Sequence, residues 1–435
     1  MRRISRARTV LAGLLAATTA MALTACSGES GANQELSSEP VTLRFTWWGS
    51  DARTTRTQQV IDLFQKAHPN ITVKGEFKEW NGYWDSLATT VAANDAPDVI
   101  QMDELYLASY AERGALLDLD TASERLRTTD FDKVTLATGA VDGKQYGLPT
   151  GVAAYSVVAN TDLLAKYGVK LPDDATWTWD DLKAAGAQVA KASGGKIAGI
   201  QSWGFDTGGL NVWARQRGAS LYDANGKVVI PPDVLAGFWA YLADLAKSGV
   251  APSPSVTVEK GNAGLDQSAM ATNTAAFGTW WNTQLPSVSA ASGNNLKLLR
   301  LPGEAQAQAK GAYLKPSMFW SISARSKHPA EAALLTDFLA NNEQAANILL
   351  TDRGIPANSR TRAAIKGRLK AADAAAATYL DQIQVGEAPF VTPNGASNIE
   401  AILKRHTENV LFGRATPQAA AASFIKELQA EIDAA

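Results

Sequence analysis

The chain has 435 residues, with 41 basic against 43 acidic side chains and one cysteine. Its charge balance argues against a nucleic-acid partner, and a lone cysteine excludes an intrachain disulfide, so stability must come from an ordinary core. Residues 1–25 hold four of the arginines and no acid, which leaves 37 basic against 43 acidic side chains beyond them, a net of about −6.

The elements begin with a leader. Arg2, Arg3, Arg6 and Arg8 precede an apolar and small-residue run, Val10 to Ala25, too short to span a bilayer. The run closes as Leu23-Thr24-Ala25-Cys26, which resembles the bacterial lipoprotein signal. That resemblance makes residues 1–26 a signal peptide and Cys26 the expected lipidation site. The Arg2-Arg3 pair also occurs in twin-arginine export signals, but the rest of such a signal is missing. Residues 27–39, SGESGANQELSSE, are polar and turn-rich and read as a flexible tether.

Val41 to Phe45 alternates as a strand and runs into Trp47-Trp48. Val60, Ile61, Leu63, Phe64 and Ala67 recur at helical spacing until Pro69. A second strand is predicted over Ile71–Phe77, then a helix through Trp84, Leu87 and Val91. Asp98 to Met102 follows as a third strand, and a helix ending at Gly114 comes next. This βαβαβα order favours a mostly parallel sheet covered by helices. Gly143 to Asn160 reads as extended chain crossing to a second lobe. There Thr178 and Asp181 have the spacing of a capping box. Gly194 to Gly226 is glycine- and aromatic-rich and reads as loop around Trp203, Phe205 and Trp213. Val234 to Lys247 is predicted helical, Ala275 to Phe277 a short strand, and Ser317 to Ser323 another. A helix is predicted from His328 to about Asn341, a break at Arg353–Ala357, and packed helices over the last 70 residues.

Twelve tryptophans are informative mainly by where they fall. In open parallel sheets, ligands sit beyond the carboxyl ends of the strands. Trp47-Trp48, Trp80-Asn81 and Asp103-Glu104 stand at three successive strand ends, and Trp280-Trp281-Asn282 at a fourth. Such a set suits a sugar. Pyranose C–H faces stack on indole planes, while ring-edge hydroxyls need carboxylates, amides and guanidinium groups. Of each Trp pair, one ring is expected in a cleft and the other beneath it, without a choice between them. Trp203, Phe205, Trp213 and Trp320 complete the candidate cage, although Trp320 lies inside a strand and suits packing equally. Trp177, Trp179 and Trp239 read as core.

The motifs LRFTWWGSDAR, QQVIDLFQKAHPNITV, APDVIQMD, YSVVANTDLLAKYGV, WTWDDLKAA, GTWWN and HPAEAALLTDFLANNEQ with RGIPAN occur in this order. Together they resemble the extracellular sugar-binding proteins of bacterial ATP-driven importers, the class that includes the maltodextrin-binding protein. The resemblance implies an α/β, two-lobed periplasmic-binding-protein fold of the type II kind, each lobe a mostly parallel sheet covered by helices and joined by a hinge near Thr150–Ala154. By that analogy the N-lobe is 40–150 plus 312–358, and the C-lobe is 151–311 plus 359–435. The implied ligand is a carbohydrate, expected to be an oligosaccharide, held between the lobes and delivered to the permease subunits of an ABC importer by a lipid-anchored monomer. No cofactor or metal is implied. Arg53, which closes the motif WWGSDAR and falls one turn into the following helix, would pair a uronate or else form a cap or interlobe salt bridge.

Two other classes remain in view. A secreted glycoside hydrolase would also line a cleft with tryptophans, but it needs two carboxylates about 5–9.5 Å apart, and adjacent residues on a strand face opposite ways. A metal-binding lipoprotein would use histidine, yet His68, His328 and His406 share no motif. A peptide binder would need fixed charges for both termini.

Overall fold

The computed structural model describes residue 33 and residues 35–49, 51–78 and 80–435, without the side chains of Ala52, Asn81 and Asn262. Cys26, the expected leader and most of the expected tether lie outside these residues. The tether's far end is held: Ser37 N–H donates to Glu331 Oε1 at 2.6 Å.

Among the described residues eleven strands are formed: β1 Val41–Trp48, β2 Ile71–Lys78, β3 Val99–Met102, β4 Ala140–Val141, β5 Lys144–Gln145, β6 Leu148–Asn160, β7 Ala198–Ile200, β8 Ala275–Trp281, β9 Leu296–Leu299, β10 Leu314–Ile322 and β11 Ile355–Pro356. β4 and β5 make a separate hairpin. The main sheet runs β2-β1-β3-β10-β6-β8-β7, with β11 and β9 also on β6. β1 pairs in parallel with β2 and β3, and β7 pairs in parallel with β8. These are the places where a helix crosses between neighbours, as parallel pairing requires. β10 meets β3 and β6 antiparallel, and β6 meets β8 and β9 antiparallel.

β6 is the spine of this α/β arrangement. Its first half pairs with β10, from Leu148 opposite Trp320 to Ala154 opposite Leu314. From Tyr155 onward it pairs with β8, Tyr155 facing Trp281 and Ala159 facing Phe277. One strand thus joins the two halves of the sheet, each half with its own core. The first core gathers Leu43, Phe45, Trp47, Phe64, Val99 and Trp320. The second gathers Leu182, Ile200, Trp213, Phe238, Trp239 and Phe424. The opposite face of the sheet's first half carries Trp48, Tyr83, Trp84, Met102 and Phe319.

Local signals set the helix starts. Thr178 and Asp181 close the expected capping box on helix Trp179–Ala192, the Asp181 N–H donating to Thr178 Oγ1 and the Thr178 N–H to Asp181 Oδ2. Within the glycine- and aromatic-rich stretch the structure departs from the loop expected there: Thr207–Gln216 is a helix capped by Asp206. Its glycines hid the helical period, since Gly208 and Gly209 are poor helix formers held by tertiary packing. Among the described residues no helix is long and apolar enough to cross a membrane.

Candidate functional site

Between the two cores lies a cleft of about 830 Å³, part of it open to solvent. Glu104, Leu105 and Thr138 line one wall, and Thr207, Asn211, Tyr222 and Trp281 the other. Leu314-Lys315-Pro316 of β10 makes the floor, while Pro389–Thr392 and Glu400 complete the rim.

Strand geometry explains how Trp281 arrives here. Successive side chains on β8 face opposite ways. Trp280 turns into a small core with Met270 and Leu285, its indole N–H without a partner among the described residues. Trp281 turns to the cleft, edge-on to Tyr155 at 5.0 Å and to Tyr313 at 5.9 Å. The ring comes so close to helix Thr207–Gln216 that a Cβ on Gly208 would sit 2.5 Å from Trp281 Cζ2. Asn211 on that helix donates to the Tyr313 hydroxyl at 3.4 Å.

The same alternation separates Trp47 from Trp48. Trp47 is 1% exposed in the first core, stacked on Phe77, with Gly75 leaving room for its ring: a Cβ there would lie 2.6 Å from the indole. Trp48 points to the other face and packs beneath Trp80, edge-to-face at 5.1 Å. Trp80, 37% exposed, is the outermost ring of a cluster that includes Trp84 stacked on Tyr106 at 3.9 Å. Val391 of the cleft rim packs against this cluster.

Charge is concentrated at the floor. Lys315 Nζ lies 2.9 Å from Glu104 Oε1 and 5.2 Å above the Trp281 ring. Burial alone would depress the Lys315 ammonium, but Glu104 and Asp103 outweigh it and hold the group above its ordinary value. Asp103 caps helix Glu104–Glu112 by accepting from Leu105 N–H at 3.0 Å. Desolvation, then Glu104, pushes its carboxyl up to about 6. Asp206 is raised by burial, against the hydrogen bond it accepts from Gly208. Glu400, which keeps part of its surface in solvent, is raised by partial burial and by Asp206.

Several expected site residues sit elsewhere. Arg53 donates to Asp352 Oδ2 at 2.9 Å and to the Trp48 carbonyl at 3.0 Å, and it is not among the residues lining the cleft. Asn282 is fully buried: it accepts from Ala154 N–H and donates to the Ala376 carbonyl, both at 2.8 Å. Trp203 stacks on Trp179, and Trp213 donates to the Val234 carbonyl, both in the second core. Phe205 covers Gly261, and Trp320 faces the buried Arg353 at 5.0 Å. None of these six lines the cleft. Each has an apolar or hydrogen-bonded partner that satisfies it better than solvent would. The Asn81 side chain lies outside the described residues.

Lys315, Tyr313, Asn211, Tyr222, Glu400 and the rim segment escaped sequence reasoning. Two signals were available. One is a lysine inside the apolar strand LKPSMFWSI. The other is the run Ile383–Asn398 between two helices, long enough without periodicity to suggest a working loop. This segment is strapped down: Arg215 donates to the Glu387 carbonyl at 2.7 Å and Gly386 N–H to the Ala312 carbonyl at 2.9 Å.

A two-core α/β body around such a cleft has a counterpart among protein families. Residues 50–346 match the model of the bacterial extracellular solute-binding proteins. The chain belongs to that family. The location that membership implies is extracytoplasmic, and the family is one of binding proteins of ABC transporters. Among curated relatives, the chain is 31% identical over 125 residues to the diacetylchitobiose binding protein DasA of Streptomyces coelicolor, covering 28% of this chain and 29% of that one. It is 25% identical over 217 residues to the arabinooligosaccharide-binding protein of Bacillus subtilis, covering 45% and 49%. A binding protein of Brucella abortus is matched over 34% of its length at 30% identity. The chain thus spans about a third to a half of the length of these curated relatives. Solved structures extend the likeness along the whole body. A family 1 solute-binding protein from Alicyclobacillus acidocaldarius is 30% identical with a TM-score of 0.75, covering 91% of this chain and 99% of that one. An oligogalacturonide binding protein from Yersinia enterocolitica is 25% identical with a TM-score of 0.78, covering 90% and 99%.

Proposed function

We propose that this solute-binding protein captures a carbohydrate, an oligosaccharide in the first instance, and hands it to the permease of an ABC importer. The observation that carries the reading is Trp281: a half-buried indole lining the cleft, with the Lys315 ammonium 5.2 Å above its ring and Glu104 and Asn211 on the same lining. A pyranose ring laid on that indole buries its C–H face, and its hydroxyls meet paired donors and acceptors. The names of the relatives supply independent support, since three of the five quoted are named for diacetylchitobiose, arabinooligosaccharides and oligogalacturonide.

The lobes of this reading are 40–150 plus 312–358 and 151–311 plus 359–435. They turn about the Ala154–Tyr155 step of β6, where the pairing passes from β10 to β8. Ligand touching both walls favours the closed form by its differential affinity for it. Cys26 carries the lipid that keeps the monomer at the membrane, and its replacement by Ala releases the protein into the medium. Trp80 and its neighbours form an outer subsite on the first lobe.

A thermal-shift panel of mono- and oligosaccharides, followed by calorimetry of the hits, tests the function. At least one oligosaccharide binds with a Kd on the order of micromolar, about −8 kcal/mol, and no reducing ends are released on incubation. A panel without a hit sinks the proposal, and released reducing ends turn it into a hydrolase.

A further inference from the structure

We propose that the cleft ranks its glycans by charge: one bearing a protonated amine binds tighter than its neutral counterpart, a uronate binds weakest, and Glu400 carries the preference. This inference deepens the carbohydrate reading and rests on it.

The charged residues lining the cleft are Glu104, Glu400 and Lys315, with Asp103 and Asp206 close behind. The one cation is already engaged, its ammonium 2.9 Å from Glu104 and over the Trp281 face. Glu400 is different. Among the described residues it has no ion pair and accepts no hydrogen bond, although it stands at the rim with Asp206 as its nearest electrostatic neighbour.

Among the described residues that line the cleft, no second cation stands ready for an acidic ligand. Arg53, the guanidinium that the sequence offered to a uronate, is spent on Asp352 and the Trp48 carbonyl. Arg215 lies over the Tyr313 ring and donates to the Glu387 carbonyl, outside the cleft lining. A ligand carboxylate would therefore enter a half-desolvated space that is already net negative, where repulsion is poorly screened. An ammonium would relieve the same repulsion.

A second observation points to a ligand at this place. Tyr222 lines the cleft, is 5% exposed, and its buried hydroxyl finds no partner among the described residues. Buried polar groups are nearly always paired, and a ligand group reaching this hydroxyl from the cleft would supply the missing partner. A phenol both donates and accepts, which suits a ligand amine or hydroxyl. The acids do not read as a metal site, because no three potential ligands gather among the described residues.

Calorimetry on the full chain separates the outcomes, with four probes: the glucosamine trimer, the N-acetylglucosamine trimer, cellotriose and trigalacturonate. The expected order puts the glucosamine trimer first, the neutral trimers next and trigalacturonate last, with about tenfold between steps at low salt and less at high salt. In Glu400→Gln the spread between amine and uronate contracts by about tenfold, and the melting temperature shows whether that variant is folded. Should trigalacturonate bind as tightly as the neutral trimers, or should a folded Glu400→Gln keep the full spread, the charge ranking is wrong while sugar binding stands. If none of the four probes and nothing in the wider sugar panel binds, the carbohydrate reading itself falls and takes this inference with it.

Discussion

The chain uses the same dipeptide twice, and the two uses differ. Trp47-Trp48 ends β1 and Trp280-Trp281 ends β8. In both, the alternation of a strand sends the rings to opposite faces. At β1 each face is covered, by the helix Asp51–Ala67 side of the first core and by the Trp80–Trp84 cluster, so both rings are nine-tenths or more buried. At β8 Trp280 is packed into a small core, while Trp281 stays half-buried on the cleft lining, with Gly208 letting helix Thr207–Gln216 approach its ring edge. An indole at a strand end therefore stays available to a ligand only where the neighbouring layer stops short.

The largest effect that would break this contrast is on folding. Trp47→Ala removes a fully buried ring and should lower stability by about 3–5 kcal/mol in denaturant unfolding. A loss below about 1 kcal/mol would mean that the first core does not depend on it. Trp281→Ala should do the reverse, weakening ligand binding by about 100-fold while shifting the melting temperature only slightly. Trp280→Ala, on the packed side of the same strand, should trade these effects. Equal loss of affinity in the two variants would erase the distinction between the faces.

The sequence reached much of this and stopped at identifiable places. Alternation over Val41–Phe45, the helical period of Val60 to Ala67 and the Thr178–Asp181 cap are local signals, and local physics decides them. One ring of each pair was expected in a cleft and one beneath it, but at β1 both rings are packed, because the face a strand presents depends on the layer that lands on it. Trp203 and Trp213 looked exposed, since glycines around them mimic a loop, yet Trp179, Phe238 and Tyr241 come from elsewhere to cover them. Lys315 and Glu400 are 85 residues apart and gain meaning only from sharing one cleft.

A smaller effect sharpens the electrostatic side. The Asp103 carboxyl ionises at about 6 in the folded protein against an ordinary 3.8, so folding stability falls as pH rises through that window and recovers as pH drops back toward 4. Asp103→Asn keeps a capping side chain and removes the titration. Relative to the wild type, the variant should melt higher at pH 8 than at pH 5. An unchanged difference between the two pH values would mean that Asp103 is not desolvated at the cleft floor.

The most direct measurement is a crystal structure of the protein with the tightest-binding oligosaccharide from the panel. A sugar ring lying on the Trp281 indole, with hydroxyl or amine groups reaching Glu104, Tyr222 and Glu400, is the expected result. A ligand bound away from that ring, or one that leaves the cleft between the two cores empty, would contradict it.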